Sequence, residues 1–208
     1  INETIKKEQG GLHSAKILLY SVDFAEIEHY QAVGDWEKSG QLLIDIAQRL
    51  EQAGADFIVI CTNTMHKVAP QIQDRIAIPI LHIAQATAQA LLADGIETVG
   101  LLGTKYTMTQ DFYKDKLLEA GLQVLIPDQA GVETVNRIIY EELCLGEIKE
   151  SSRQACRAVI DDLKHAGAEA VILGCTEIGL LVKQEDTDLP LYDTTAIHAE
   201  KAAEWAVG

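Results

Sequence analysis

Short runs of aliphatic and β-branched residues alternate along this chain with longer stretches in which apolar positions recur every three or four residues. KILLYSVDF (16–24), DFIVIC (56–61) and IPILHI (78–83) have the first pattern, and SGQLLIDIAQRLEQAG (39–54) has the second. The second half repeats the alternation. ETVGLLG (97–103), QVLIP (123–127), EAVILGC (169–175) and LPLYDT (189–194) read as strands, DFYKDKLLEAG (111–121) as a helix, and 133–166 as a long helical region. Alternation of this kind predicts βαβ units and a parallel sheet, hence an α/β fold. No linker or low-complexity segment separates the two halves.

Two internal alignments say more than the alternation. Leu50-Glu-Gln-Ala-Gly-Ala-Asp-Phe-Ile-Val-Ile-Cys61-Thr62-Asn63 matches Leu163-Lys-His-Ala-Gly-Ala-Glu-Ala-Val-Ile-Leu-Gly-Cys175-Thr176-Glu177, with Gly174 as the single insertion. Each copy reads as a helix ending at Ala-Gly, a buried strand, and a Cys-Thr dipeptide at the strand's carboxyl end. Ile78-Pro79-Ile80-Leu81-His82-Ile83 likewise matches Leu189-Pro190-Leu191-Tyr192-Asp193-Thr194. Ala-Gly turns and aliphatic strands are common to α/β units in general, but a Cys-Thr at the same place in both is not. In open α/β sheets ligands bind beyond the carboxyl ends of the strands.

Composition narrows the partners. With 32 acidic against 17 basic residues the formal charge is −15, and no Lys/Arg cluster interrupts it, so nucleic acid is not an expected partner. An anionic ligand would be repelled at long range, and its site needs local donors such as backbone amides, hydroxyls or isolated cations. No run approaches the roughly 20 apolar residues that a bilayer span needs, and INETIKKEQGG lacks a hydrophobic leader, so a cytoplasmic protein without membrane contact is expected. The four cysteines include no C-x-x-C pair and are read as free thiols, with no metal site.

Two thiols at equivalent strand ends suit inversion of a carbon centre, which requires one group to remove a proton from one face and another to deliver one to the opposite face. A thiol titrates near 8.5, and amides at a helix N-terminus can lower that value, so a thiolate and a thiol can coexist near neutrality. Thr62, Asn63 and Thr64 after Cys61, Thr176 and Glu177 after Cys175, and Thr104 in GTKYT are short polar groups suited to carboxylates and an ammonium. Helix N-capping is their alternative role. Cys144 and Cys156 fall away from strand ends and read as core residues. His66 reads as an ordinary helix-face residue, with tuning of Cys61 from one turn into the helix as the alternative, while His82 and Asp193 occupy equivalent positions with either an orienting or a structural role. Lys105 either neutralises a ligand carboxylate or faces solvent.

CTNTMH with GCTE, GGLHSAKILLYSVDF and GLLGTKYTM resemble the aspartate/glutamate racemase family along essentially the whole chain. The resemblance implies two pseudo-symmetric lobes of Rossmann-like βαβ units, here 1–93 plus 190–208 and 94–189, with the active site between them. It also implies no pyridoxal phosphate or metal, an amino-acid substrate, and a homodimer. It makes Cys61 and Cys175 the two acid/base residues, with the polar residues after them and Gln31, in AEIEHYQ, contacting substrate. Members of the family usually begin with a strand and a glycine-rich loop, whereas this chain opens within what should be the first helix, so a truncation of about one βα turn is expected. Related two-cysteine enzymes (hydantoin racemase, maleate isomerase, decarboxylase) and a catalytically silent amino-acid-binding protein are the alternatives. Preference between aspartate, glutamate and other amino acids is left open.

Overall fold

A computed structural model describes all 208 residues, which divide into two compact units. The first comprises 1–60, 65–82 and 200–208, the second 61–64 and 83–199. These boundaries differ from the expected ones in three places, the first being 61–64, which falls in the second unit. Residues 83–93 and 190–199 cluster with the second unit because their apolar faces and strand hydrogen bonds lie there.

In the first unit, α1 (Asn2–Gln9), α2 (Phe24–Val33), α3 (Trp36–Gln52) and α4 (Ala69–Gln73) accompany a two-stranded parallel ladder of β1 (Ile58–Val59) and β2 (Ile80–Leu81). Asp23 and Asp35 cap α2 and α3 by accepting from Ala25 N and Lys38 N. Ile27, Ile44, Ile58, Met65, Val68 and Ile72 form its core. The helix expected at the start is present as α1, but the strand expected over 16–24 is not. Residues 13–23 carry no regular structure, and Ile17, Leu18, Leu19 and Tyr20 are exposed. A strand exists only through a neighbour's ladder, and in this sheet β1 and β2 pair only with each other.

In the second unit four parallel strands run in the order β4 (Gln123–Leu125), β3 (Thr98–Gly103), β5 (Ala170–Gly174), β6 (Leu191–Asp193). Both faces of this sheet are covered, which is why its strands are continuously apolar. Val99, Leu101, Ala170 and Ile172 pack with α5 (Ile83–Ala93) and α7 (Asp111–Glu119). Leu102, Val171 and Leu173 pack on the other side with α8 (Gln129–Glu141) and α9 (Glu150–His165). Burying each such Leu, Ile or Val is worth about 1.5–3 kcal/mol relative to exposure. The long helical region expected over 133–166 is therefore two helices, broken at Gly146, which sits in the left-handed region at φ 78°. α6 (Lys105–Thr109), α10 (Ile178–Leu181) and α11 (Thr194–Val207) complete the chain. None of the helices is long and apolar enough to cross a membrane.

The sequence repeat is a structural repeat down to its register. Ile58 pairs with Ile80 and Val59 with Leu81, while the aligned residues Val171 and Ile172 pair with Leu191 and Tyr192. Ile58 N donates to Pro79 O as Val171 N donates to Pro190 O, each at 2.9 Å. The preceding turns match as well, with Ala55 N to Leu50 O and Ala168 N to Leu163 O both at 3.0 Å. Gly54 and Gly167 make these turns possible with φ of +92° and +104°, where a side chain is strained.

Candidate active site

Gly174, the one insertion in the repeat, has a packing reason. It is the register partner of Gly103, and a Cβ on it would lie 2.6 Å from the Leu102 carbonyl oxygen. A Cβ on Gly103 would lie 2.8 Å from the Gly174 carbonyl oxygen. The carboxyl ends of β3 and β5 thus approach without side chains between them, immediately before Thr104 and Cys175.

Around these ends the second unit gathers most of the polar residues singled out from the sequence. Thr104 is buried and caps α6, accepting from Thr107 N, and its hydroxyl lies 3.0 Å from that of Thr64. The Lys105 amide donates to Asn136 Oδ1 at 2.8 Å, fixing the loop after β3. Asn63, 2% exposed, donates through Nδ2 to Thr194 Oγ1 at 3.0 Å, and its Oδ1 is buried with no hydrogen-bond partner. Cys175 donates to Glu177 Oε2 at 3.0 Å, and Thr176 Oγ1 donates to the same oxygen at 2.6 Å. Cys61 and Thr62 belong to this unit too, with Cys61 exposed and Thr62 half-buried.

The electrostatics correct one expectation. Neither thiol is acidified: burial pushes Cys61 up, and burial followed by the Glu177 carboxylate pushes Cys175 well above the ordinary thiol value. Although Cys61 is exposed as a residue, its sulfur is recessed enough to lose solvent. The helices after the two cysteines are a 3-10 helix at Thr64–Val68 and the single turn of α10, too short to supply a strong field. Both groups rest as thiols at neutrality, and a thiolate forms only when a nearby positive charge or a proton acceptor favours it.

The remaining positions fall elsewhere. Gln31 lies on α2 in the first unit, buried, with its amide on Met65 Sδ at 3.1 Å. His66, buried, and His82 face each other in that unit with ring centroids 4.5 Å apart. Asp193 accepts from Thr195 N at 2.8 Å and starts α11, a structural task. Lys105 is exposed, with Nζ over the Tyr106 ring. Cys156 is core, and Cys144 is half-buried against the same cluster. Thr194 and Thr107 were not among the expected site residues. Thr194 follows a strand as Thr104 does, so the strand-end rule could have found it.

Comparison with known proteins places the chain in a family. The family model described as Asp/Glu/Hydantoin racemase matches residues 1–202, and the chain belongs to that family, a family of isomerases. A candidate Asp/Glu racemase from Yersinia pestis superposes with TM-score 0.93 at 55% identity, covering 100% of this chain and 90% of that one. An aspartate racemase homologue from Pyrococcus horikoshii superposes with TM-score 0.84 at 37% identity, covering 100% and 91%. A glutamate racemase from Glaesserella parasuis is 30% identical over 160 residues, 74% of this chain and 59% of the relative's own length. The broad-specificity amino-acid racemase RacX of Bacillus subtilis is 26% identical over 170 residues, 80% of this chain and 71% of that protein.

Proposed function

We propose that this chain racemises a small acidic amino acid, aspartate or glutamate, with Cys61 and Cys175 as the two proton-transfer groups and no organic cofactor or metal. The observation that carries the reading is the repeat itself: two strands in identical register, each delivering a Cys-Thr dipeptide at its carboxyl end. A binding protein would need the threonines and Asn63 but not both thiols.

In this mechanism Thr62, Thr64, Thr104 and Thr176 hold the carboxylates through their hydroxyls. One sulfur, as thiolate, takes the α-proton, and the opposite thiol gives its own proton to the other face of the carbanion. The pair ends with its protonation exchanged, and the opposite enantiomer uses the same steps in reverse. The incoming ammonium favours the thiolate by direct attraction. At Cys175 the Glu177 carboxylate is the nearby acceptor when that sulfur must start as the base. A homodimer working in the cytoplasm is part of the same proposal.

The test is to incubate the purified protein with each enantiomer of the common amino acids and resolve the products by chiral chromatography. Racemisation of an acidic amino acid that survives dialysis against EDTA and hydroxylamine supports the proposal. Absence of inversion with every amino acid, in a protein that binds them, replaces it with the binding-protein reading.

A further inference from the structure

Thr194 forms a hydrogen-bonded chain whose protons can be counted. Its hydroxyl is fully buried and donates to the Leu173 carbonyl oxygen at 2.9 Å. The Asn63 amide lies 3.0 Å from the same Oγ1. A hydroxyl carries one hydrogen, and the Leu173 carbonyl can only accept, so Oγ1 has lone pairs alone to offer Asn63. The Asn63 atom facing it must therefore be Nδ2, and the opposite end of the amide, Oδ1, is the buried atom left without a protein partner.

A buried acceptor with no partner costs about 1–3 kcal/mol, so one retained beside a strand-end cluster points to a donor that arrives with the ligand. Leu173 is two residues before Cys175, so this chain ties the Asn63 amide to the strand that carries the second thiol. Thr194 makes no contribution to proton transfer in this arrangement. It decides which end of a two-faced amide the ligand meets.

We propose that Thr194 is a positioning residue that holds the Asn63 amide with its carbonyl oxygen toward the ligand, so that the site selects ligands bearing an α-ammonium over dicarboxylates that lack one. The inference rests on the amino-acid reading of the site. With the hydroxyl removed, either the amide turns and opposes its N–H groups to the ammonium, or it stays and leaves Nδ2 buried without an acceptor. Both weaken binding of the amino ligand, and neither weakens binding of a dicarboxylate without the amine.

The experiment compares wild type, Thr194→Val and Thr194→Ser, measuring calorimetric affinity for aspartate and glutamate, affinity for succinate and glutarate, and KM and kcat of racemisation. Expected is a loss on the order of tenfold in affinity and KM for the amino acids in Thr194→Val, the worth of one buried hydrogen bond to a charged group. Affinity for succinate or glutarate should be unchanged or tighter, and Thr194→Ser should restore the wild-type ratio. Equal losses for both ligand classes, or none, overturn the inference while the racemase reading stands. Failure of wild type to bind any amino acid overturns both. Should Thr194→Val not fold, the Asn63 side-chain amide in the wild-type protein answers the question by NMR. Slow hydrogen exchange is expected for an Nδ2 held by Thr194, and fast exchange overturns the inference.

Discussion

The thiol of Cys175 and the carboxylate of Glu177 lie 3.0 Å apart, sulfur to oxygen, with the thiol as donor. A carboxylate so placed stabilises the protonated thiol and opposes the thiolate, in addition to the larger effect of burial. Replacing Glu177 by Gln removes the negative charge, so the Cys175 thiol should titrate at lower pH in the variant. The ultraviolet thiolate band, followed against pH with Cys61, Cys144 and Cys156 replaced by Ala so that Cys175 alone contributes, should move to lower pH on adding Glu177→Gln. An unmoved titration would mean that burial alone sets it.

Replacing either Cys61 or Cys175 by Ala should lower racemisation by roughly 10²–10⁴-fold or more, since the two act as a unit. The equilibrium constant between enantiomers is one, so kcat/KM must fall equally in both directions for any single variant. Deuterium uptake escapes that constraint. In D₂O each single variant should exchange the α-hydrogen of the one enantiomer that presents it to the surviving thiol, and the two variants should favour opposite enantiomers. A normal rate in either variant refutes the two-thiol mechanism.

Stability should decline on the alkaline side. Cys144 and Cys156 are pushed up to about 11 by burial, with smaller contributions from Glu177 and Glu142, and Tyr192 to about 12 by burial and Asp94. The folded state thus holds these protons more tightly than the unfolded chain, whose thiols titrate near ~8.5 and tyrosines near ~10. That stabilisation is complete below the unfolded values and is lost as pH rises from about 9 toward 11. Denaturant midpoints measured across this range should fall, and Cys156→Ala should flatten the fall while costing on the order of 1 kcal/mol at neutral pH. A midpoint independent of pH between 8 and 11 would contradict the assignment.

Two glycine substitutions should separate crowding from backbone strain. Gly174→Ala places a Cβ 2.6 Å from the Leu102 carbonyl oxygen, where neither strand can yield without breaking the ladder. It should cost about 1–3 kcal/mol or more and depress activity by displacing Cys175. Gly54→Ala meets nothing within 4 Å but sits at φ +92°, so it should cost about 1–2 kcal/mol and leave kcat near wild type. Thermal melts and rate assays on the two variants make the comparison.

The parallel sheets, the repeat and the Cys-Thr positions were legible because each rests on local pattern: period, Ala-Gly turns, proline before a short strand. What was not legible depends on partners remote in sequence. KILLYSVDF has a strand's composition, yet whether it pairs is decided by a neighbour, not by its own residues. Residues 190–193 align with a first-half segment, but the ladder of β6 onto β5 places them in the second unit. The direction of the thiol titrations also escaped, because a helix N-terminus can be read from sequence but its length and the desolvation around the sulfur cannot. Thr194 stands at a strand end as Thr104 does, but the partner that gives it a role, Asn63, lies 131 residues away.

The pairing of β3 with β5 also sets when in folding the site can come into being. Glu169 clamps the amides of Glu97 and Thr98 from a sequence separation of 71–72 residues, and the Gly103 and Gly174 ends meet only once that ladder has zipped. Closing so long a loop is an entropically slow event, whereas the helices and turns on either side form from local contacts. A partly folded chain therefore has its secondary structure before it has any apposition of Thr104 with Cys175. Recovery of activity on refolding should lag behind recovery of helical signal.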